Sequence, residues 1–440
     1  MKVVFIDPKG VWEGLNNGIA SIASVIRDGH KVQVLDFVNK QGSFEKRLAA
    51  VADADIVRIS IKSFTLDESV MAAKKIKAIN PTAMIVAGGP HIIVDGLNFM
   101  KDNAVFDLAV KGEAEIIFGE LASSEEIKQI DGIIYRENGN VIETPTRKWI
   151  TDLDSLPFPN YDDFDSVNSN GKIKEIENWP LVTSRGCPYS CSYCNVPAVI
   201  GRKFRTRSGK NILEELRYAQ EKYQSREFKV LDDNFTLLMD RAKDICKLFI
   251  DEKLNTKMKW TCPNGIRADR LDEELCRLMY EAGCYSMSIG VESGDPEVFF
   301  KINKGEKLED VERGIRLAQA AGIQVHGFFI IGLVGSTPET DKRSIEFAKR
   351  IGISASWGIL VPYPGTPVWG QVLADPNVRM LRDWKEGFHS GARPKVVFDT
   401  PEYTAEERTR MYYYANMSTI KKRDIPRAAK MIIKGLIAGK

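Results

Sequence analysis

At 440 residues the chain is too long for one hydrophobic core and predicts two or three domains. Its 43% hydrophobic and 28% charged residues, with a formal net charge of +2, describe a globular protein without the basic excess of a nucleic-acid binder. The longest apolar run, "GFFIIGLVG" from Gly327, falls far short of the roughly 20 residues a membrane span needs. A strand pattern starts at Lys2 with no secretory signal before it, and the seven cysteines are an odd number. Both features point to a reducing cytoplasm rather than a disulfide framework.

In chain order, "KVVFID" (Lys2 to Asp7), "KVQVLDF" (Lys31 to Phe37), "IVRISI" (Ile56 to Ile61), "MIVAGG" (Met84 to Gly89) and "FDLAVKG" (Phe106 to Gly112) read as strands. Helix patterns such as "GIASIASVIRDG" and "DESVMAAKKIKAIN" lie between several of them and end on Gly or Asn, as helix C-caps do. Apolar strands alternating with helices predict a doubly wound parallel sheet covered on both faces, with ligands beyond the strands' carboxyl ends. "IIYRENGNVIETP" follows, and its Asn-Gly predicts a hairpin. The Pro-, Asp- and Asn-rich "LDSLPFPNYDDFDSVNSNGK" reads as a linker. The expected domains are residues 1–145, a linker over 146–178, a second α/β domain over 179–395 and a helical, basic region over 396–440.

From "LVTS" (Leu181) the alternation resumes through "EFKVLDD" (Glu227), "MKWTCPN" (Met258), "SMSIGVES" (Ser286), "VHGFFIIG" (Val325) and "ISASWGILVPY" (Ile353). Six β/α units predict a partial or full barrel, whose functional residues gather at the carboxyl ends of its strands. Those ends carry Cys187, Asp232, Asp233, Glu292 and Gly332.

"RGCPYSCSYCNVP" (Arg185 to Pro197) places Cys187, Cys191 and Cys194 within eight positions. Three thiolates on one loop can hold three irons of a cubane cluster or three corners of a zinc site. Zinc spacing usually comes as paired C-x-x-C elements, and there is no second pair. Cys246 and Cys276 read as small buried hydrophobes, and Cys262 and Cys284 stay unassigned with the same leaning. A cluster with three protein ligands leaves one iron open for catalysis or substrate.

C-x-x-x-C-x-x-C with an aromatic residue before its last cysteine resembles the signature of radical S-adenosylmethionine (SAM) enzymes. The resemblance covers roughly residues 180 to 370. It implies that Cys187, Cys191 and Cys194 bind a 4Fe–4S cluster whose open iron chelates SAM, and that reductive cleavage of SAM gives a 5′-deoxyadenosyl radical. It further implies that Tyr193 lies against the adenine, that Asp232 or Asp233 meets the SAM ammonium, that Glu292 and Ser293 in "GVESG" reach the ribose, and that Gly332 lies by the adenine. The family's Gly-x-Pro-Gly-x-Thr turn is altered here to "GLVGSTPET", and "PYPGTPV" (Pro362 to Val368) resembles its barrel-closing segment. A helix N-cap is the other, less favoured reading of Asp233 or Asn234.

The first domain, with "GGPH" and "KGEAE", resembles the cobalamin-binding domain that precedes many radical SAM barrels. That implies a nucleotide tail near Gly88 and Gly89, with hydroxyls of Ser60, Ser63 and Thr65 as hydrogen-bond partners. Ordinary strand-end turns are the other reading of these residues. Methionine-synthase-like domains bind cobalt through the His of D-x-H-x-x-G, and the matching stretch here is "DPKGVW": Asp7 is kept, but Lys9 replaces the His and Trp12 the Gly, as is common in the radical branch. No imidazole is therefore offered to cobalt from that loop. His91 reads equally as a contact to a phosphate or amide and as an ordinary loop histidine, His326 as a satisfied core group, and "IPRAAKMIIKGLIAGK" as a packed terminal helix in preference to membrane-surface contact.

The resemblance implies a methyltransferase acting on an unactivated carbon of a small molecule or lipid, with a flavodoxin- or ferredoxin-type electron donor, and the charge balance predicts no nucleic-acid partner. The alternatives are a radical SAM dehydratase, epimerase or cyclase whose first domain is a scaffold, and a non-catalytic iron–sulfur protein. The latter would ordinarily supply a fourth cysteine.

Overall fold

Strand, turn and helix signals resolve into two units in a computed structural model that describes residues 1–10, 14–40, 42–123, 126–169, 171–388 and 394–419. One unit comprises residues 1–180, 198–201 and 205–225, and the other residues 181–197, 202–204 and 226 onward.

The first unit is built on a sheet of β1 (Lys2–Asp7), β2 (Lys31–Asp36), β3 (Ile56–Ser60), β4 (Met84–Gly88), β5 (Leu108–Val110), β6 (Ile133–Glu137) and β7 (Asn140–Glu143), in the order β2-β1-β3-β4-β5-β6-β7. The pairs from β2 to β5 are parallel, and β6 and β7 add the expected hairpin antiparallel at one edge. Asn138 and Gly139 both take positive φ (48° and 82°), as a two-residue hairpin turn of this kind requires. Alternate strand residues serve the two faces. Val4, Ile6, Val57, Ile59 and Ile85 pack with Ala72, Ile76 and Phe99 on one side, while Phe5 meets Phe118 at 5.6 Å on the other. Because β1 lies between β2 and β3, the sheet has its topological switch point at the carboxyl ends of β1 and β3.

The stretch 146–178, expected as a linker, is folded onto this unit. Phe164 bridges to Val34 on the outer strand, and Arg47 binds Asp165. Tyr161 packs edge-on against Trp179 at 5.1 Å, with Tyr218 and Tyr223 in the same aromatic group. The Pro and Asp content that suggested a linker shapes turns, while the large aromatics between them supply a core.

In a second sheet six strands follow one another in sheet order as they do in sequence: Asn178–Leu181, Glu227–Val230, Lys259–Ile266, Cys284–Glu292, Gln324–Ile331 and Ser354–Ile359. Pairs from Glu227 onward are parallel, and the order does not close, giving a partial barrel. The first strand ends at Leu181, three residues before the expected end, because Thr183 and Ser184 turn aside onto Asp232. Amphipathic helices such as Glu273–Glu281 and Leu308–Ala320 cover the outside, the former capped by Asp272. A helix over Ala405–Thr419 packs on the last strands, where Trp357 Nε1 donates to Thr419. Trp12, His389 and the basic segment over 425–440 lie outside the described residues.

Candidate active site

The cysteine loop is fixed by its backbone and by its tyrosines. Ser192 N–H donates to Ile302 O at 2.9 Å, Val368 N–H donates to Ser192 O at 2.9 Å, and Cys194 N–H donates to Cys191 O at 3.2 Å. Through Val368 the "PYPGTPV" segment is tied to the loop. The Arg267 guanidinium lies 3.5 Å from the centroid of the Tyr189 ring, and Arg270 Nε donates to the Tyr189 hydroxyl at 3.1 Å. Arg267 is anchored in turn by Asp269 at 3.0 Å and by the carbonyls of Lys304 and Gly305.

Cys187, Cys191 and Cys194 are half-buried and free of disulfides. They lie close enough for Cys187 and Cys191 to raise the pKa of Cys194. Burial pushes the Cys191 thiol up to about 11 and Cys194 up to about 12, so both stay protonated unless a metal takes the sulfur. Among the described residues no three His, Cys, Asp or Glu side chains converge on a single ion. Thiols spread along one loop suit a cluster that takes one sulfur per iron. The donor set therefore fits a 4Fe–4S group. Cys246, Cys262, Cys276 and Cys284 are all buried in the barrel's packing, as small hydrophobes.

Asp232 and Asp233 separate into two environments. Asp232 accepts from Thr183 N–H at 2.6 Å, Thr183 Oγ1 at 2.5 Å and Ser184 Oγ at 2.5 Å, so it anchors the start of the cysteine loop. Asp233 is only partly buried and close enough to Cys187 to raise that thiol's pKa. Burial, and then Asp232 beside it, push its carboxyl up to about 6. Asn234 and Thr236, both buried, have side-chain polar atoms with no hydrogen-bond partner among the described residues.

Glu292 ends the fourth strand with φ +65°, a left-handed conformation a non-glycine residue adopts only under constraint. The Tyr193 hydroxyl hydrogen-bonds its carboxylate. A side chain on Gly290 would strike Glu292 Oε1 at 2.5 Å and lie 3.3 Å from Lys304 Nζ, so Gly290 leaves room for both charged groups. Lys304 is buried, bonded to Gly290 O and paired with Glu306 at 2.8 Å. Burial raises the Glu292 pKa, and Lys304 lowers it. Lys304 and Arg267 were not singled out from sequence. For Lys304 the signal was a run of charge, "KINKGEK", that a helix-to-helix connection explains equally well.

Ser293 does not reach this group. Its hydroxyl accepts from Asp295 N–H at 3.1 Å and meets Ser344 Oγ at 3.3 Å, inside the packing. Gly332 takes φ +74°, and a side chain there would meet Arg408 Nη1 at 2.7 Å. Its N–H donates to Asp341 Oδ2, which also accepts from the Tyr403 hydroxyl at 2.7 Å. His326 is satisfied by Ser354 and Ser356 across the sheet.

In the first unit, the carboxyl edge of the sheet assembles the residues expected there. Asp7 is paired with Lys62 at 3.3 Å, and Ser63 Oγ lies 3.1 Å from His91 Nδ1. The Thr65 hydroxyl is engaged with Lys62, as a cap. Ser60 is buried at the end of β3 beside Gly88. Gly89 has φ +108°, and a side chain there would meet Ile61 O at 2.7 Å, so this glycine lets two strand ends approach. Gly88 leaves space for the Arg58 guanidinium, 2.7 Å from where its Cβ would be. Arg58 is buried, and its Nε and Nη1 have no hydrogen-bond partner among the described residues. Orphaned donors beneath a glycine turn at a switch point fit a corrinoid whose nucleotide tail brings acceptors.

Residues 181–351 match the radical SAM superfamily and residues 1–122 match the B12 binding domain. An uncharacterized methyltransferase of Pyrococcus horikoshii is 32% identical over 378 residues, covering 84% of this chain and 80% of that protein. The chain belongs to the radical SAM superfamily. A cytidylyl-2-hydroxyethylphosphonate methyltransferase of Streptomyces wedmorensis is 27% identical, covering 84% of this chain and 81% of that protein. Among solved structures, the radical SAM methyltransferase TsrM of Kitasatospora setae, with cobalamin and a [4Fe-4S] cluster bound, shares the fold at TM-score 0.76 and 17% identity, over 96% of this chain and 91% of that one. The cobalamin-dependent enzyme OxsB matches at TM-score 0.66 and 20% identity, over 79% and 52% of the two chains. The radical SAM domain brings a 4Fe–4S cluster and SAM, and the B12-binding domain brings cobalamin. No helix among the described residues is long and apolar enough to cross a membrane.

Proposed function

We propose that this radical SAM enzyme is a cobalamin-dependent C-methyltransferase that places a methyl group on an unactivated carbon of a small organic molecule. The observation that carries the reading is the union, in one chain, of a B12-binding domain with a three-cysteine loop that can serve a cluster with one open iron. When bound, the cluster and cobalamin supply the electron and the methyl-carrying metal, and the protein supplies their placement.

The residues divide the remaining tasks. Cys187, Cys191 and Cys194 hold the cluster, while Arg267 and Arg270 brace the loop through Tyr189. Asp233, with a carboxylate not engaged in the fold as Asp232 is, faces the SAM ammonium. Glu292, held by Tyr193 and attracted by Lys304, accepts from the ribose hydroxyls. Asp7, Ser60, Ser63, Gly88 and Gly89 line the corrinoid site. A flavodoxin- or ferredoxin-type protein delivers the electron. Relatives named for phosphonate, bacteriochlorophyllide and hopanoid methylation support an organic substrate, a lipid among the options. Dehydration, epimerisation or cyclisation is not favoured, since the B12-binding domain would then serve only as a scaffold.

Replacing a C–H hydrogen by methyl consumes one SAM as radical source and one as methyl source. The reconstituted enzyme, given reductant, SAM, cobalamin and small-molecule extract, is therefore expected to form 5′-deoxyadenosine and S-adenosylhomocysteine together with a product heavier by one methylene. Substrate-dependent 5′-deoxyadenosine without S-adenosylhomocysteine would overturn methyl transfer.

A further inference from the structure

A buried guanidinium with unpartnered donors is costly, because the charge and each unmade hydrogen bond are both withdrawn from water. Arg58 is such a group, 5% exposed, with Nε and Nη1 lacking any hydrogen-bond partner among the described residues. It sits in the middle of β3, opposite Phe5 of β1 and Val86 of β4, on the face that carries Phe118. The Phe118 ring lies 5.8 Å from the guanidinium carbon. The side chain runs along the strand toward the carboxyl edge, where its Nη2 and Nε lie 2.7 and 2.9 Å from the position a Gly88 Cβ would take. Gly88 is the register partner of Ser60, two residues beyond Arg58.

The carboxylates of Asp7 and Glu115 attract the guanidinium, yet leave those two nitrogens unbonded. Burial lowers its pKa to about 10, so it remains a cation at neutral pH. An apolar residue would fill the same space without that cost. The guanidinium lies toward the carboxyl ends of β3 and β4, the edge at which sheets of this order take their ligands.

We infer that Arg58 is a specificity-determining contact for the nucleotide tail of the corrinoid, its unpartnered nitrogens donating to acceptor atoms of the tail beneath the Gly88–Gly89 turn. The inference rests on the corrinoid reading of this domain and adds which part of the ligand is read, and by what. A planar guanidinium matches either source of acceptors in the tail, its anionic phosphodiester or its base.

The test uses equilibrium binding of the full chain, measured by absorbance after ultrafiltration. The probes are hydroxocobalamin, its adenine-tailed counterpart and cobinamide, which has the same ring and no nucleotide. Arg58→Met is expected to weaken hydroxocobalamin roughly 10- to 100-fold, as for loss of hydrogen bonds to a charged group, and to leave cobinamide unchanged. An equal loss for both tailed probes supports the phosphodiester, and an unequal loss supports the base. Arg58→Lys keeps the charge but not the fork, and is expected to show a smaller loss with the same selectivity, which serves if Arg58→Met does not fold. Equal weakening of cobinamide and hydroxocobalamin, or no weakening of either, overturns the inference. A wild-type chain that binds none of the three overturns the corrinoid reading instead.

Discussion

Replacing Asp232 and Asp233 one at a time distinguishes an anchor from a ligand contact. Asp232 accepts one backbone N–H and two hydroxyls, all buried. In Asp232→Ala these donors lose their acceptor, and at about 1–3 kcal/mol per unsatisfied group, less what rotating hydroxyls recover, the cost is about 3–5 kcal/mol. Asp232→Asn keeps an oxygen for the Thr183 N–H, and the hydroxyls can turn to accept from its amide, so the cost is about 1 kcal/mol. Neither value depends on a charge at that position. Asp233 has no such partners, and an ammonium facing it makes a charge-assisted contact. Asp233→Asn is therefore expected to weaken SAM by roughly 10- to 100-fold with little change in stability. Denaturant unfolding supplies the stabilities, and equilibrium binding of SAM to the reconstituted enzyme supplies the affinities. Asp232→Asn is expected to bind SAM within about threefold of wild type, since less than 1 kcal/mol is at stake. Loss of SAM affinity greater in Asp232→Asn than in Asp233→Asn would refute the assignment.

Gly332→Ala places a Cβ at φ +74° and 2.7 Å from Arg408 Nη1. It is expected to destabilise the second unit by about 1–3 kcal/mol, read from its denaturation midpoint. Asp341 has its pKa raised to about 7 by burial, so its ionisation opposes folding. That stability is fully present below the unfolded-state pKa and lost as pH rises through about 7. The stability of wild type relative to Asp341→Asn should accordingly fall between about pH 4 and about pH 7 and level off above that, and a difference independent of pH would contradict the burial argument. Arg267→Met removes the cation over Tyr189 and the tie to the Lys304–Gly305 turn. It is expected to speed iron loss to a chelator roughly tenfold, as for loss of about 1–2 kcal/mol, with the fold retained.

Local patterns carried far in this chain, and long-range packing marks where they stopped. The C-x-x-x-C-x-x-C spacing, the strand-end glycines and the Asn-Gly hairpin are all features of neighbouring residues, visible without a fold. Asp232 and Asp233 are adjacent in sequence, so spacing could not separate them. What separates them is that the first faces Thr183 and Ser184, about 50 residues away. Ser293 looked equivalent to Glu292 until the turn at Asp295 engaged its hydroxyl. Lys304, Arg267 and Arg58 carry no distinguishing mark in the sequence, because burial is a tertiary property. The 146–178 segment was misread because turn residues outnumber its aromatics, whose partners Tyr218 and Tyr223 follow some sixty residues later.

The central claim, a cluster and a corrinoid in one methyltransferase, is tested most directly by metal content. The chain would be reconstituted anaerobically with iron, sulfide and hydroxocobalamin, desalted, and assayed for iron and cobalt, with Cys191→Ala alongside. The account predicts about four irons and about one cobalt per wild-type chain, and cobalt without cluster iron in the variant. Wild-type protein that retains iron but no cobalt, or a Cys191→Ala chain that still assembles the cluster and forms 5′-deoxyadenosine, would contradict it.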